Sequence, residues 1–201
     1  MRWVGTLPAR FDYNTEMAVQ AGSLASDDVS AWAGHWALRN TLTTRYTVRV
    51  LGEFNYASGD DNATDGTRGT FDQLYPTGHD KYGLADQVGW KNVKHLRAGV
   101  ELTPRRGLVV SGGYHSFWLA HRGDALYNAA GAVLARAAAG AGDAHVGQEL
   151  DAQATFALTP QIQVGGGYAH IFPGAFLEQA TPGASYSAPY VMVTYIFLAD
   201  K

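Results

Sequence analysis

Cysteine is absent from the 201 residues, so neither fold nor chemistry depends on a disulfide or a thiol. No apolar run approaches the ~18 residues that a membrane-crossing helix requires, which removes helical spans from consideration. Charge is sparse as well: 16% of residues are Asp, Glu, Lys or Arg, with a net charge of −3 and a pI near 6.1. That balance argues against a general nucleic-acid surface. Hydrophobic residues, at 46%, and 24 glycines are plentiful. Glycine suits tight turns and places where a strand bends or its side chains crowd.

What is present is alternation. From Phe11 one parity reads Phe11, Tyr13, Thr15, Met17, Val19, and the other Asp12, Asn14, Glu16, Ala18, Gln20. From Arg45, the residues Tyr46, Val48, Val50, Phe54 and Tyr56 face away from Arg45, Thr47, Arg49, Glu53 and Asn55. Leu96, Ala98, Val100 and Leu102 oppose His95, Arg97, Gly99 and Glu101; Leu150, Ala152, Ala154 and Phe156 oppose Glu149, Asp151, Gln153 and Thr155. Successive strand side chains point to opposite faces, so each segment has one oily and one wet face. The last such segment, 189–197, places Val191, Val193, Tyr195 and Phe197 on one side and stops near the C-terminus. That is the pattern of the closing strand of an outer-membrane β-barrel. The alternative is a soluble all-β domain of one or two sheets with its oily faces turned inward.

Three features favour the membrane. The segments run about ten to thirteen residues, longer than the usual five or six of soluble strands and enough for a tilted crossing. Connections alternate in length: those near 40–44, 103–107 and 159–161 are short, whereas 58–90, 120–145 and 173–187 are long, and the remaining one near 26–28 is brief. Short turns at one rim and long loops at the other belong to outer-membrane barrels. Aromatics gather at segment ends (Tyr56, Trp90, Tyr114, Trp118, Tyr168, Tyr195, Phe197), where amphipathic rings settle at membrane interfaces.

The expected fold is therefore all-β, an antiparallel up-and-down transmembrane β-barrel segment covering residues 1–201. About eight strands are expected, near 10–23, 29–39, 45–57, 92–102, 108–120, 147–158, 162–172 and 189–198. A closed barrel of that size would have an interior just filled by side chains. Residues 1–9 lack an apolar stretch of signal-peptide length, although an outer-membrane protein must be exported. The chain is thus expected to be a piece of something longer, with residues 2–8 the tail of a turn from an earlier strand.

Several separated stretches resemble the alginate-export family of outer-membrane barrels. They are Gly52-Glu53-Phe54-Asn55-Tyr56-Ala57-Ser58-Gly59-Asp60-Asp61-Asn62, then 69–79, Tyr114-His115-Ser116-Phe117-Trp118, Val146-Gly147-Gln148-Glu149-Leu150-Asp151 and Gly167-Tyr168-Ala169-His170-Ile171-Phe172-Pro173-Gly174. The resemblance implies the C-terminal half of a barrel of about eighteen strands. It also implies a bacterial outer-membrane location and passive passage of an anionic polysaccharide, or in relatives of another small solute. The implied partners are outer-membrane lipid, the transported solute, and the barrel-assembly machinery through the C-terminal strand. No nucleic acid, cofactor or metal is expected.

On the parity above, the lumen side carries Arg45, Arg49, Glu53, His95, Arg97, Glu101, His115, Glu149 and Asp151 as candidates along the solute path. Arg49 and Arg97 are the best ligand contacts, because guanidinium grips carboxylates bidentately. The wall nevertheless leans acidic, and cross-strand pairing that merely hydrates the interior is the plainer reading of any one charge. The alternative function is a filled eight-stranded barrel with a structural or binding role. No catalytic residue is assigned. His115 and Ser116 are adjacent and so face opposite sides, which denies the serine its base. Asp61, Asp65, Gly66 and Asp72 echo a calcium loop, but the terminal Glu of such a loop is missing. The long loop 59–89 is expected to fold over or into the mouth, so that deleting 61–67 raises conductance. The Ala-rich stretch 129–142 reads as a short external helix around Val133–Arg136 or as disorder.

Overall fold

A computed structural model of the chain describes residues 1–43, 45–76, 79, 81–138 and 142–197. In chain order its strands are β1 (Arg2–Leu7), β2 (Phe11–Leu24), β3 (Asp27–Thr43), β4 (Thr47–Ala57), β5 (Thr67–Arg68), β6 (Val93–Arg105), β7 (Leu108–Leu119), β8 (Leu126–Tyr127), β9 (Val133–Ala135), β10 (His145–Ala157), β11 (Ile162–Pro173) and β12 (Tyr186–Tyr195). A short helix, α1 (Ala175–Ala180), lies between β11 and β12. The long strands form one antiparallel sheet in the order β1-β2-β3-β4-β6-β7-β10-β11-β12, with β5 added in parallel to the start of β3. Among the described residues β1 and β12 do not pair, so the sheet has two free edges.

Three sequence expectations change. Arg2–Leu7 is not a turn tail: it is β1, paired with β2 from Arg2↔Glu16 to Leu7↔Phe11, which makes nine long strands. Its pattern is weak because Val4 shares a parity with Arg2 and Thr6. Val133–Ala135 is neither helical nor structureless but pairs with β8 as a hairpin. Gly131, at φ +84°, allows the reversal before this strand. Trp90 is not at a strand end. Its indole N–H donates to the Tyr56 carbonyl at 3.0 Å, and its ring meets Phe71 edge-on at 5.4 Å, inside the long loop. The predicted strand end at 198, turn position 44 and loop positions 77, 78, 80 and 139–141 lie outside the described residues.

The two faces differ in what covers them. On one, Val19 is 77% exposed and Val191 90%, with Val50, Phe54, Leu96, Val100 and Leu150 also open. On the other, Glu53, Asn55, His95, His115 and Glu149 are buried. A soluble sheet does the reverse, hiding its apolar face and wetting its polar one. Hydrophobic clusters lie on the polar side near the long-loop ends. There Ala31, Ala33 and Ala57 leave room for Phe71, Tyr82 and Leu126 from the loops. Apolar surface this extensive needs a nonaqueous neighbour. Placing a charge on it by Val100→Arg should cost about 2–4 kcal/mol of stability in bilayers. Thr47→Arg, on the polar parity, should cost far less. Urea titration of each variant in lipid vesicles checks the difference.

Candidate functional site: a polar belt beneath an inward-folded loop

Strand register assembles the site. His35, Asn55 and His95 are successive cross-strand partners on β3, β4 and β6. One row along, Glu53, Arg97, His115 and Glu149 follow one another across β4, β6, β7 and β10. Period two turns all of them to the same face.

Their hydrogen bonds form a directed chain. The His35 Nδ1–H donates to Asn55 Oδ1 at 2.7 Å. Asn55 Nδ2 donates to Glu53 Oε1 at 2.8 Å and to His95 Nδ1 at 2.9 Å. Since His95 Nδ1 accepts, its Nε2 carries the proton and donates to His115 Nδ1 at 3.0 Å. The His115 Nε2–H then lies 3.2 Å from Asp151 Oδ2, near enough to attract but not aligned as a hydrogen bond. The His95 and His115 rings stack at 5.1 Å, with Phe117 at 4.7 Å from His95.

The loop between β4 and β6, residues 58–92, closes this belt. Lys81 Nζ reaches Glu53 Oε1 at 3.1 Å, and Arg97 Nη1 stands 3.8 Å from Glu53 Oε2. The Leu84 N–H donates to Asp151 at 3.1 Å and the Ala85 N–H to Glu149 at 2.8 Å. Tyr82 meets His95 edge-on at 5.4 Å. Its burial, with the carboxylates of Glu53 and Glu16 adding to it, holds the phenol well above its usual pKa. The loop is anchored further out as well. The Gln20 amide exchanges two hydrogen bonds with the Asp72 backbone, and buried Asn92 ties loop 58–92 to the His121 and Ala125 carbonyls.

Gly83, at φ +98°, is the close-approach point, where a Cβ would come within 2.5 Å of the Glu149 carboxylate. Gly83→Ala should therefore lift the loop tip from the sheet while leaving strand pairing intact. Limited proteolysis checks this: cleavage near 79–86 should accelerate several-fold with unchanged far-UV circular dichroism.

The structure gathers Glu53, His95, Arg97, His115, Glu149 and Asp151 into one belt. Arg49 and Glu101 stand apart, on the uncovered part of the same face, as an exposed ion pair. Arg45 lies in the turn before β4 with its guanidinium over the Tyr46 ring at 5.6 Å. His115 and Ser116 take different cross-strand partners, Arg97 and Leu96, on opposite faces. Parity places Asn55 on the wet face without marking it as a candidate, and the belt residues His35 and Lys81 escape sequence reading. So does Arg39, exposed on the polar parity of β3 and without an ion pair among the described residues. The row of alanines at 31, 33 and 37 on the parity of His35 is a signal that something packs there. Among the described residues no group of three His, Cys, Asp or Glu side chains is arranged so that it could hold a metal ion.

A family model described as alginate export matches residues 1–191 of the chain. No curated protein matches it.

Proposed function

The chain belongs to the alginate-export family, and from that premise we propose that its sheet is part of the wall of an outer-membrane β-barrel. Through the lumen an anionic polysaccharide, or another small hydrated solute, passes passively. Membership supports an outer-membrane, porin-like role; the particular path and cargo rest on the residues. The observation that carries the reading is the inverted sheet, apolar side bare and polar side turned toward a folded loop. In this arrangement the bare face meets acyl chains and the belt faces water at the axis.

Two unpaired edges in lipid leave backbone groups without partners, a costly state. The proposal closes them by further strands of a wider barrel, since a cylinder of about nine strands would leave no passage beside the loop. Long loops then lie outside and short turns in the periplasm. The Tyr195–Phe197 end of the last strand is what the assembly machinery engages. Arg39 and Arg49, on the uncovered part of the polar face, supply the contacts for a carboxylate-bearing cargo. Loop 58–92 narrows the outer half of the passage. No bond is made or broken, so no residue has a catalytic role.

A filled barrel with a structural or binding role is the second reading, and it draws on the same loop, which occupies the space above the polar face. Single-channel recording on the full-length protein in planar bilayers separates the two. Discrete conductance steps are expected. A membrane that stays silent although the protein has inserted would favour the filled barrel.

A further inference from the structure

The described residues contain four buried side-chain atoms with no hydrogen-bond partner: Arg97 Nε, His115 Nε2, Glu149 Oε2 and Asp151 Oδ1. Buried polar atoms are rarely left so, and each unpaired one calls for an explanation. All four fall in one place. Arg97, His115 and Glu149 are successive cross-strand partners, and Asp151 is paired with Gly113 in the adjoining row. Beside two of them, Arg97 and Asp151, a recess of about 40 Å³ opens, walled by these two with Ser111 and Gln153, lined by Gly113 and bounded by Leu84 of the loop.

Gly113 makes the space. Its φ is not positive, so the backbone there would accept any residue. A Cβ, however, would stand 3.0 Å from His115 Nε2 and 3.7 Å from the Asp151 Cβ. Glycine at 113 thus serves room rather than conformation.

We propose that this recess docks two adjacent hydroxyls of a sugar ring as the solute passes, a step that rests on the conduit reading above. The unpaired atoms on the recess wall are mixed: Arg97 Nε donates and Asp151 Oδ1 accepts. A carboxylate or sulfate only accepts, so it would meet Arg97 but face the Asp151 carboxylate with like charge. An ammonium only donates and would meet Arg97 with like charge. A hydroxyl does both, and a vicinal pair satisfies Arg97 and Asp151 together. The volume suits this too. A water takes about 30 Å³ of liquid, so the recess admits the hydroxyl edge of a pyranose while the ring stays in the lumen. The wall would in this way hold a polymer by its uncharged edge, whatever charge it carries elsewhere.

Single-channel current through the full-length protein is the test, with neutral maltopentaose as probe and its per-O-methylated form as control. The control keeps the chain length and the acceptor oxygens, gains a methyl on each, and has no hydroxyl to donate. Maltopentaose is expected to reduce the current saturably, whereas the methylated sugar gives only a linear, volume-type reduction. Gly113→Ala should raise the half-blocking concentration of maltopentaose about tenfold, as loss of one or two hydrogen bonds would. Its open conductance and its response to the methylated sugar should not change. Should the alanine variant fail to fold, Ser111→Val fills the recess from its mouth and is expected to act in the same direction. Equal block by the two sugars, or block unaltered in the variants, would overturn the proposal and leave the recess to water, with the conduit reading intact. Absence of any conductance in the unaltered protein would instead remove the conduit reading and this inference with it.

Discussion

Replacing residues 60–91 with a short turn is expected to raise single-channel conductance several-fold. The graft is geometrically simple, because Ala57 and Val93 are cross-strand partners and bring the loop's two ends together. What leaves is the material lying on the polar face: Phe71, Tyr82 and Val88 from the buried cluster, and the Lys81–Ala85 tip held by Glu53, Glu149 and Asp151. Loops of this length are usually functional or disordered, and this one is thoroughly hydrogen-bonded. Deleting only 61–67, which the sequence alone expects to raise conductance, should instead change the current little, since that stretch is exposed and ends at Thr67, where β5 meets Asp28 of β3. Planar-bilayer recordings of the two deletions side by side measure the contrast. Equal currents in both would mean that the tip does not obstruct the path.

Glu53→Ala should be the most destabilising single substitution in the belt. Glu53 is 4% exposed, accepts from Asn55 and Lys81, and has His35 Nδ1 at 3.5 Å and Arg97 at 3.8 Å. Removing a buried carboxylate strands its partners, which typically costs 3–5 kcal/mol. Here about 3 kcal/mol is expected, because Lys81 and Arg97 can still turn to water. Glu53→Gln keeps the shape and the acceptor oxygen but loses the charge, so it should cost roughly half as much. Urea unfolding in lipid vesicles gives both values. Proteolysis of residues 79–86 should accelerate in the alanine variant, as the Lys81 anchor is lost.

Much of the sheet was legible because it obeys a local rule. Alternation in β2, β4, β6 and β10 identifies which residues share a face, and the structure puts Val50 and Phe54 on one and Glu53 and Asn55 on the other. β1 was not legible: a valine on the polar parity and a glycine on the apolar one blur its pattern, and pairing with β2 decides the outcome. The loop's position was beyond local reading altogether. Lys81 finds Glu53 across 28 residues, and the Ala85 N–H finds Glu149 across 64. Nothing near Lys81 marks it as an anchor. The candidates Glu53, His95, Arg97, His115, Glu149 and Asp151 were named one by one from parity, but their assembly into a single belt depends on register between strands. Arg45 shows the limit of parity: the alternation ends before the turn that holds it, and its guanidinium turns back over Tyr46.

The central claim concerns which side of the sheet meets lipid, and the absence of native cysteine makes it directly measurable. Single cysteines placed in turn from Val48 to Phe54 and from Val100 to Thr103 carry a nitroxide label, read in vesicles for collision with oxygen and with a water-soluble nickel complex. Labels at 48, 50, 54, 100 and 102 should favour oxygen, and those at 49, 51, 53, 101 and 103 the nickel complex or neither, with a period of two. Nickel accessibility at 48, 50, 54 and 100 together with oxygen accessibility at 49 and 101 would contradict the account.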